Sequence, residues 1–146
     1  MAARDPRPRL WFAGGSLALY GLFVTLILFW PSPVDRGWRP TLLRALDAFH
    51  ERGFPEWFGY QSLEFTANIG MFVPLGFLVA LLVRGRRWWL AVALCSGFSV
   101  LSELAQGLLL PQRFASVADV VANSTGAALG ALLALAIRKL VPPRVP

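Results

Sequence analysis

A bundle of four membrane-spanning helices, with a short helix in the interface plane of its first outer connection, is the all-α membrane fold this sequence predicts. Three observations carry that expectation. Of 146 residues, 56% are hydrophobic and only 15% charged, against about 25% charged in an average soluble domain. The apolar residues gather into four runs, each long enough to cross a hydrocarbon core about 30 Å thick, which takes roughly 20 helical residues. The basic residues lie in short clusters between those runs, the pattern of a positive-inside membrane protein.

Composition also removes several functional classes. Disorder requires a chain poor in apolar residues. One Cys and one His build neither a Cys/His zinc site nor a disulfide framework, so no metal and no cofactor is expected. The net charge of +6 forms no stripe on a soluble surface, and nucleic acid is not the expected partner. Attraction to anionic membrane lipid is.

The spans follow in order. Residues 10–30 and 65–83 contain no charged side chain; residues 88–110 contain one, Glu103, and residues 114–137 one, Asp119. Together they take more than half the chain and leave too little for a separate soluble domain. The first run is too long for a signal-peptide core and ends Leu28-Phe29-Trp30-Pro31 rather than in small residues, so it is expected to stay in the membrane. Trp11, Trp30, Trp88 and Trp89 mark span ends, where amphipathic rings prefer the head-group level.

Arg4, Arg7 and Arg9 precede the first span, Arg84, Arg86 and Arg87 separate the second from the third, and Arg138, Lys139 and Arg144 follow the fourth. These clusters place both termini on the cytoplasmic side. The connection 31–64 mixes four Arg with Asp35, Asp47, Glu51, Glu56 and Glu64, and the last connection holds Arg113; both are expected outside. Within the long connection, residues 41–52 carry Leu42, Leu43, Leu46 and Phe49 at helical spacing behind Thr41 as an N-cap. That pattern suits an interfacial helix or a lid packed on the bundle. His50 reads as an ordinary interfacial polar residue, and Cys95 as a small apolar one.

Polar groups inside the spans need a reason, since a buried carboxylate costs at least about 2.5–3.5 kcal/mol on insertion scales. Glu103 and Gln106 share a face of the third span with Ser99 and Ser102; Glu64 and Asn68 open the second, and Ser116, Asp119 and Asn123 the fourth. The topology brings all three sets to one depth near the outer surface, as a polar pocket of Asn68, Glu103, Gln106, Arg113, Asp119 and Asn123. Ser116-x-x-Asp119 also has the form of a helix start in which hydroxyl and carboxylate both cap. Arg113 could clasp Glu103 or Asp119, or meet an anionic ligand group with its planar fork. Gly126 and Gly130 form a Gly-x-x-x-Gly pair for helix packing, against a neighbouring span or a second copy of the chain. Pro74, inside the second span, predicts a kink.

Asn68-Ile-Gly-Met-Phe72-Val-Pro74-Leu-Gly76-Phe77, then Ser99-Val-Leu-Ser-Glu103-Leu-Ala-Gln106, then Arg113 with Asp119-Val-Val-Ala-Asn123-Ser-Thr-Gly126-Ala-Ala-Leu-Gly130 resemble the signature blocks of the VanZ-like family. The resemblance covers about residues 65–137. It implies a bacterial cytoplasmic-membrane protein acting at the cell envelope, of a kind associated with teicoplanin resistance, and it supplies no reaction. Three function classes stay open. A binding protein would engage a lipid-linked precursor or a phospholipid head group in the pocket. A membrane enzyme would use Glu103 and Asp119 as an acid/base pair. The third class is a transporter or structural subunit; four spans are few for alternating access unless the protein dimerises.

Overall fold

The computed structural model describes residues 7–32, 35–83, 87–110 and 115–140, with side chains from Trp11 onward. Five helices and no strands occur among them: α1 (Arg7–Leu28), α2 (Arg39–His50), α3 (Tyr60–Leu82), α4 (Trp88–Leu109) and α5 (Val117–Leu140). All but α2 are long and apolar enough to cross a membrane. Leu19, Leu22, Leu94, Leu101, Leu108 and Leu132 stay exposed, as side chains that face acyl chains should.

Helix α5 packs most closely on α3 and also lies against α4, while α1 packs on α3. The α3/α5 approach follows from missing side chains. A Cβ at Gly126 would meet the Ile69 carbonyl and the Phe72 Cβ, and one at Gly130 the Val73 carbonyl and the Phe77 amide. Gly76 returns the relationship, since a Cβ there would strike the Ala127 backbone. Dispersion contacts between backbones replace side-chain interdigitation at this seam, the main attraction left to helices in lipid.

One apolar cluster joins Val24, Leu28, Phe72, Leu75, Cys95 and Ala127, and so ties α1, α3, α4 and α5 together. A second, of Ala80, Ala91, Ala131 and Ala134, closes the opposite end. Tyr20 donates its hydroxyl to the Met71 carbonyl at 2.9 Å, three residues before Pro74.

Among the boundaries that differ from the sequence expectation, three helix starts bear on the site. Helix α2 starts at Arg39 with Trp38 as its cap and no capping side chain, so Thr41 lies inside it. Pro40 takes the first turn, where its lacking N–H is not missed and its fixed φ suits the helix. Leu46 is the buried residue of α2; Leu43 and Phe49 remain exposed. Helix α3 begins at Tyr60, five residues before the charge-free run, because the polar turn Gln61-Ser62 hydrogen-bonds as helix whatever its hydropathy. The Tyr60 hydroxyl donates to the Asp35 carboxylate, and the Arg39 guanidinium lies 4.5 Å from the Tyr60 ring centroid. The last span begins at Val117, after Ser116 rather than at 114.

Candidate functional site

A helix end leaves backbone N–H or C=O groups unpaired, and within a bilayer water cannot satisfy them. Three ends of this bundle are satisfied by side chains from neighbouring helices.

The first is the start of α5. The Ser116 hydroxyl accepts the Asp119 N–H at 3.3 Å, one half of a capping box. The reciprocal half does not come from Asp119. The backbone N–H of Ser116 donates instead to Glu103 Oε2 on α4, at 2.7 Å. Chain length gives the reason: the reach back to an N-cap N–H is made by Glu or Gln, and aspartate is one methylene shorter. The Asp119 carboxylate turns to α3, where Oδ1 accepts from Asn68 Nδ2 at 2.9 Å.

The second is the end of α1. Gln106 Nε2 donates to the carbonyl of Leu28 at 3.0 Å, and both residues are buried. The third is the end of α3. One Arg138 guanidinium nitrogen on α5 reaches the carbonyls of Ala80, Leu81 and Val83 at 2.6, 3.0 and 3.1 Å. In the sequence Arg138 stands out only as part of a basic cluster. Its position in the last turn of α5 is a signal for a carbonyl contact, though not for which helix supplies the carbonyls.

The polar stripe of α4 is therefore interior. Ser99, Ser102, Glu103 and Gln106 are all buried. One turn below Glu103, Ser99 Oγ accepts from Asn123 Nδ2 at 2.9 Å, both residues being essentially without exposure.

A separate open groove of 560 Å³ lies where α3 and α5 begin, lined by Trp57, Phe58, Gln61, Ser62, Glu64, Phe65, Thr66, Ser116, Ala118 and Asp119. Of the six pocket residues expected from sequence, Asp119 lines it and Asn68 stands behind Asp119. Glu103, Gln106 and Asn123 are inside the bundle and do not line it. Arg113 lies outside the described residues. The lining that sequence reasoning missed comes partly from the connection, Trp57, Phe58, Gln61 and Ser62, and partly from the first residues of the second span, Phe65 and Thr66; Gln61/Phe65 and Ser62/Thr66 are i, i+4 pairs on the extended α3. The lining combines the aromatic rings of Trp57, Phe58 and Phe65 with hydroxyl, amide and carboxylate groups. Glu64 and Asp119 make the described lining acidic. His50 Nε2 lies 3.1 Å from the Phe58 carbonyl and so steadies the loop that brings Trp57 and Phe58 to the groove.

The family model described as VanZ/LLP1 matches residues 17–138. No curated protein and no solved structure matches the chain.

Proposed function

The chain belongs to the VanZ/LLP1 family, and on that premise we propose that this membrane protein binds the head group of a cell-envelope lipid, a phospholipid or a lipid-linked precursor, in the groove between the starts of α3 and α5. The observation that carries the reading is the composition of that groove. Trp57, Phe58 and Phe65 offer apolar faces while Gln61, Ser62, Thr66, Glu64 and Asp119 offer hydrogen-bonding groups, a lining matched to a molecule that is apolar at one end and wet at the other. The two carboxylates favour the donor-bearing part of a head group, an ammonium or a set of hydroxyls. Arg113, four residues before Val117 in sequence, is the group assigned to the phosphate.

The placement in a bacterial cytoplasmic membrane with both termini inside, and the link to glycopeptide resistance, belong to the same proposal; they rest on the basic clusters and the motif resemblance. An acid/base pair of Glu103 and Asp119 is the weaker reading, because Glu103 Oε2 holds the Ser116 N–H and Glu103 does not line the groove.

The test is lipid retention through purification. The parent chain should carry one tightly held phospholipid per chain into mild detergent, detected by native mass spectrometry. Ala118→Trp, which fills the groove from its α5 wall, should release it. Equal retention by both chains would refute the proposal.

A further inference from the structure

We propose that Asn123 and Ser99 hold one buried water molecule at the α4/α5 interface. Asn123 is 1% exposed and Ser99 0%. The Nδ2 of Asn123 donates to Ser99 Oγ at 2.9 Å, but Asn123 Oδ1 is fully buried and accepts from no group among the described residues. Buried carbonyl oxygens are nearly always hydrogen-bonded, and each exception asks for a missing partner.

Turning the amide over does not remove the requirement. The oxygen would then accept from the Ser99 hydroxyl and leave Nδ2 without an acceptor. One orientation needs a donor and the other an acceptor. Water supplies either; a monovalent cation satisfies the oxygen alone, and an acyl chain neither.

The surroundings suit water as well. Ser99 and Ser102 on α4, and Ala122 and Ala127 on α5, are buried and small. Glu103 follows Ser99 by one turn and Asp119 precedes Asn123 by one turn, an axial rise of about 6 Å, or roughly two hydrogen-bond lengths. A water on Asn123 Oδ1 has a second hydrogen to donate, and the Glu103 and Asp119 carboxylates, one turn away along the same two helices, are the acceptors that chemistry offers it. A carboxylate oxygen accepts more than one bond, so the bonds from Ser116 and Asn68 persist beside it. This site is independent of what the groove binds.

Residue counts make the test clean, because the chain has two asparagines, Asn68 and Asn123, and one cysteine, Cys95. Selective ¹⁵N labelling of these two residue types in the full chain, reconstituted in phosphatidylcholine bilayers, gives few signals for water-edited solid-state NMR. The Asn123 side-chain signal is assigned as the one that persists when Asn68, the other asparagine, is replaced in Asn68→Gln. Cys95, in the apolar cluster, is the dry reference. Magnetisation transfer from water to Asn123 Nδ2 hydrogens should be at least about five-fold faster than to the Cys95 amide, as for a group touching an ordered interior water. Transfer as slow as at Cys95 would overturn the inference. So would an Asn123 signal that shifts when sodium replaces potassium at constant ionic strength, which would mark a cation instead.

Discussion

Glu103 and Ser116 meet across two helices: the carboxylate Oε2 on α4 accepts the backbone N–H that opens α5, at 2.7 Å. The motif around Ser116 gives the hydroxyl half of a capping box, and a different helix gives the carboxylate half. A buried acid that looks like chemistry is thus at work as a structural cap, and removing it acts on the start of α5 first.

Glu103→Leu should leave the Ser116 N–H without its acceptor, a loss of about 1–3 kcal/mol for a buried unpaired donor. Glu103→Gln keeps an acceptor oxygen and should lose less. Denaturation in mixed micelles, with hydrogen exchange across Val117 to Val120, should order the chains as parent, Gln, Leu. Equal exchange in all three would mean that the start of α5 does not depend on this bond.

Gly126→Ala and Gly130→Ala should each destabilise the bundle by about 1–3 kcal/mol or more, as overpacking does. The added methyl meets the carbonyls of Ile69 and Val73, and backbone cannot rotate aside as a side chain can. Leu132→Ala, on an exposed face of the same helix, should melt near the parent. Parental melting of both glycine variants would place the α3/α5 seam elsewhere.

Arg138→Gln should loosen the other end of α3, where the guanidinium reaches three carbonyls. Hydrogen bonds to a charged group contribute about 1.5–3 kcal/mol, so a comparable loss of unfolding free energy is expected. Arg138→Lys should recover part of it, having a charge but no planar fork.

These ends explain what was legible in the sequence. The long apolar runs mark the four spans, because a bilayer's thickness fixes the length of apolar helix it can hold. Ser116 and Asp119 read as a helix start, and Ser99, Glu103 and Asn123 as polar groups inside spans that each need a reason, Glu103 and Asn123 as lining of an outward pocket. The partners themselves were not readable. Gln106 caps a carbonyl on α1, at Leu28, and no local spacing encodes which helix ends come together. The groove lining was hidden for a different reason: the charge at Glu64 ended the apolar run at Phe65, although helix continues back to Tyr60.

Topology is checked by single cysteines in a Cys95→Ala background. An impermeant thiol reagent added outside intact cells should label Arg36→Cys and Glu56→Cys and leave Arg87→Cys and Lys139→Cys unlabelled. The reverse pattern would turn the groove to the cytoplasm and remove envelope lipids of the outer leaflet as its ligand.

The groove itself is tested most directly by where a lipid phosphate sits. In phospholipid bilayers, ³¹P dephasing of ¹³C-threonine signals reports phosphate close to Thr66 in the groove and, as a control, close to the exposed Thr41 on α2. Head-group occupancy predicts strong dephasing at Thr66 in the parent and its loss in Ala118→Trp, with Thr41 the same in both. Dephasing at Thr66 that is absent in the parent, or unchanged when the groove is filled, would contradict it.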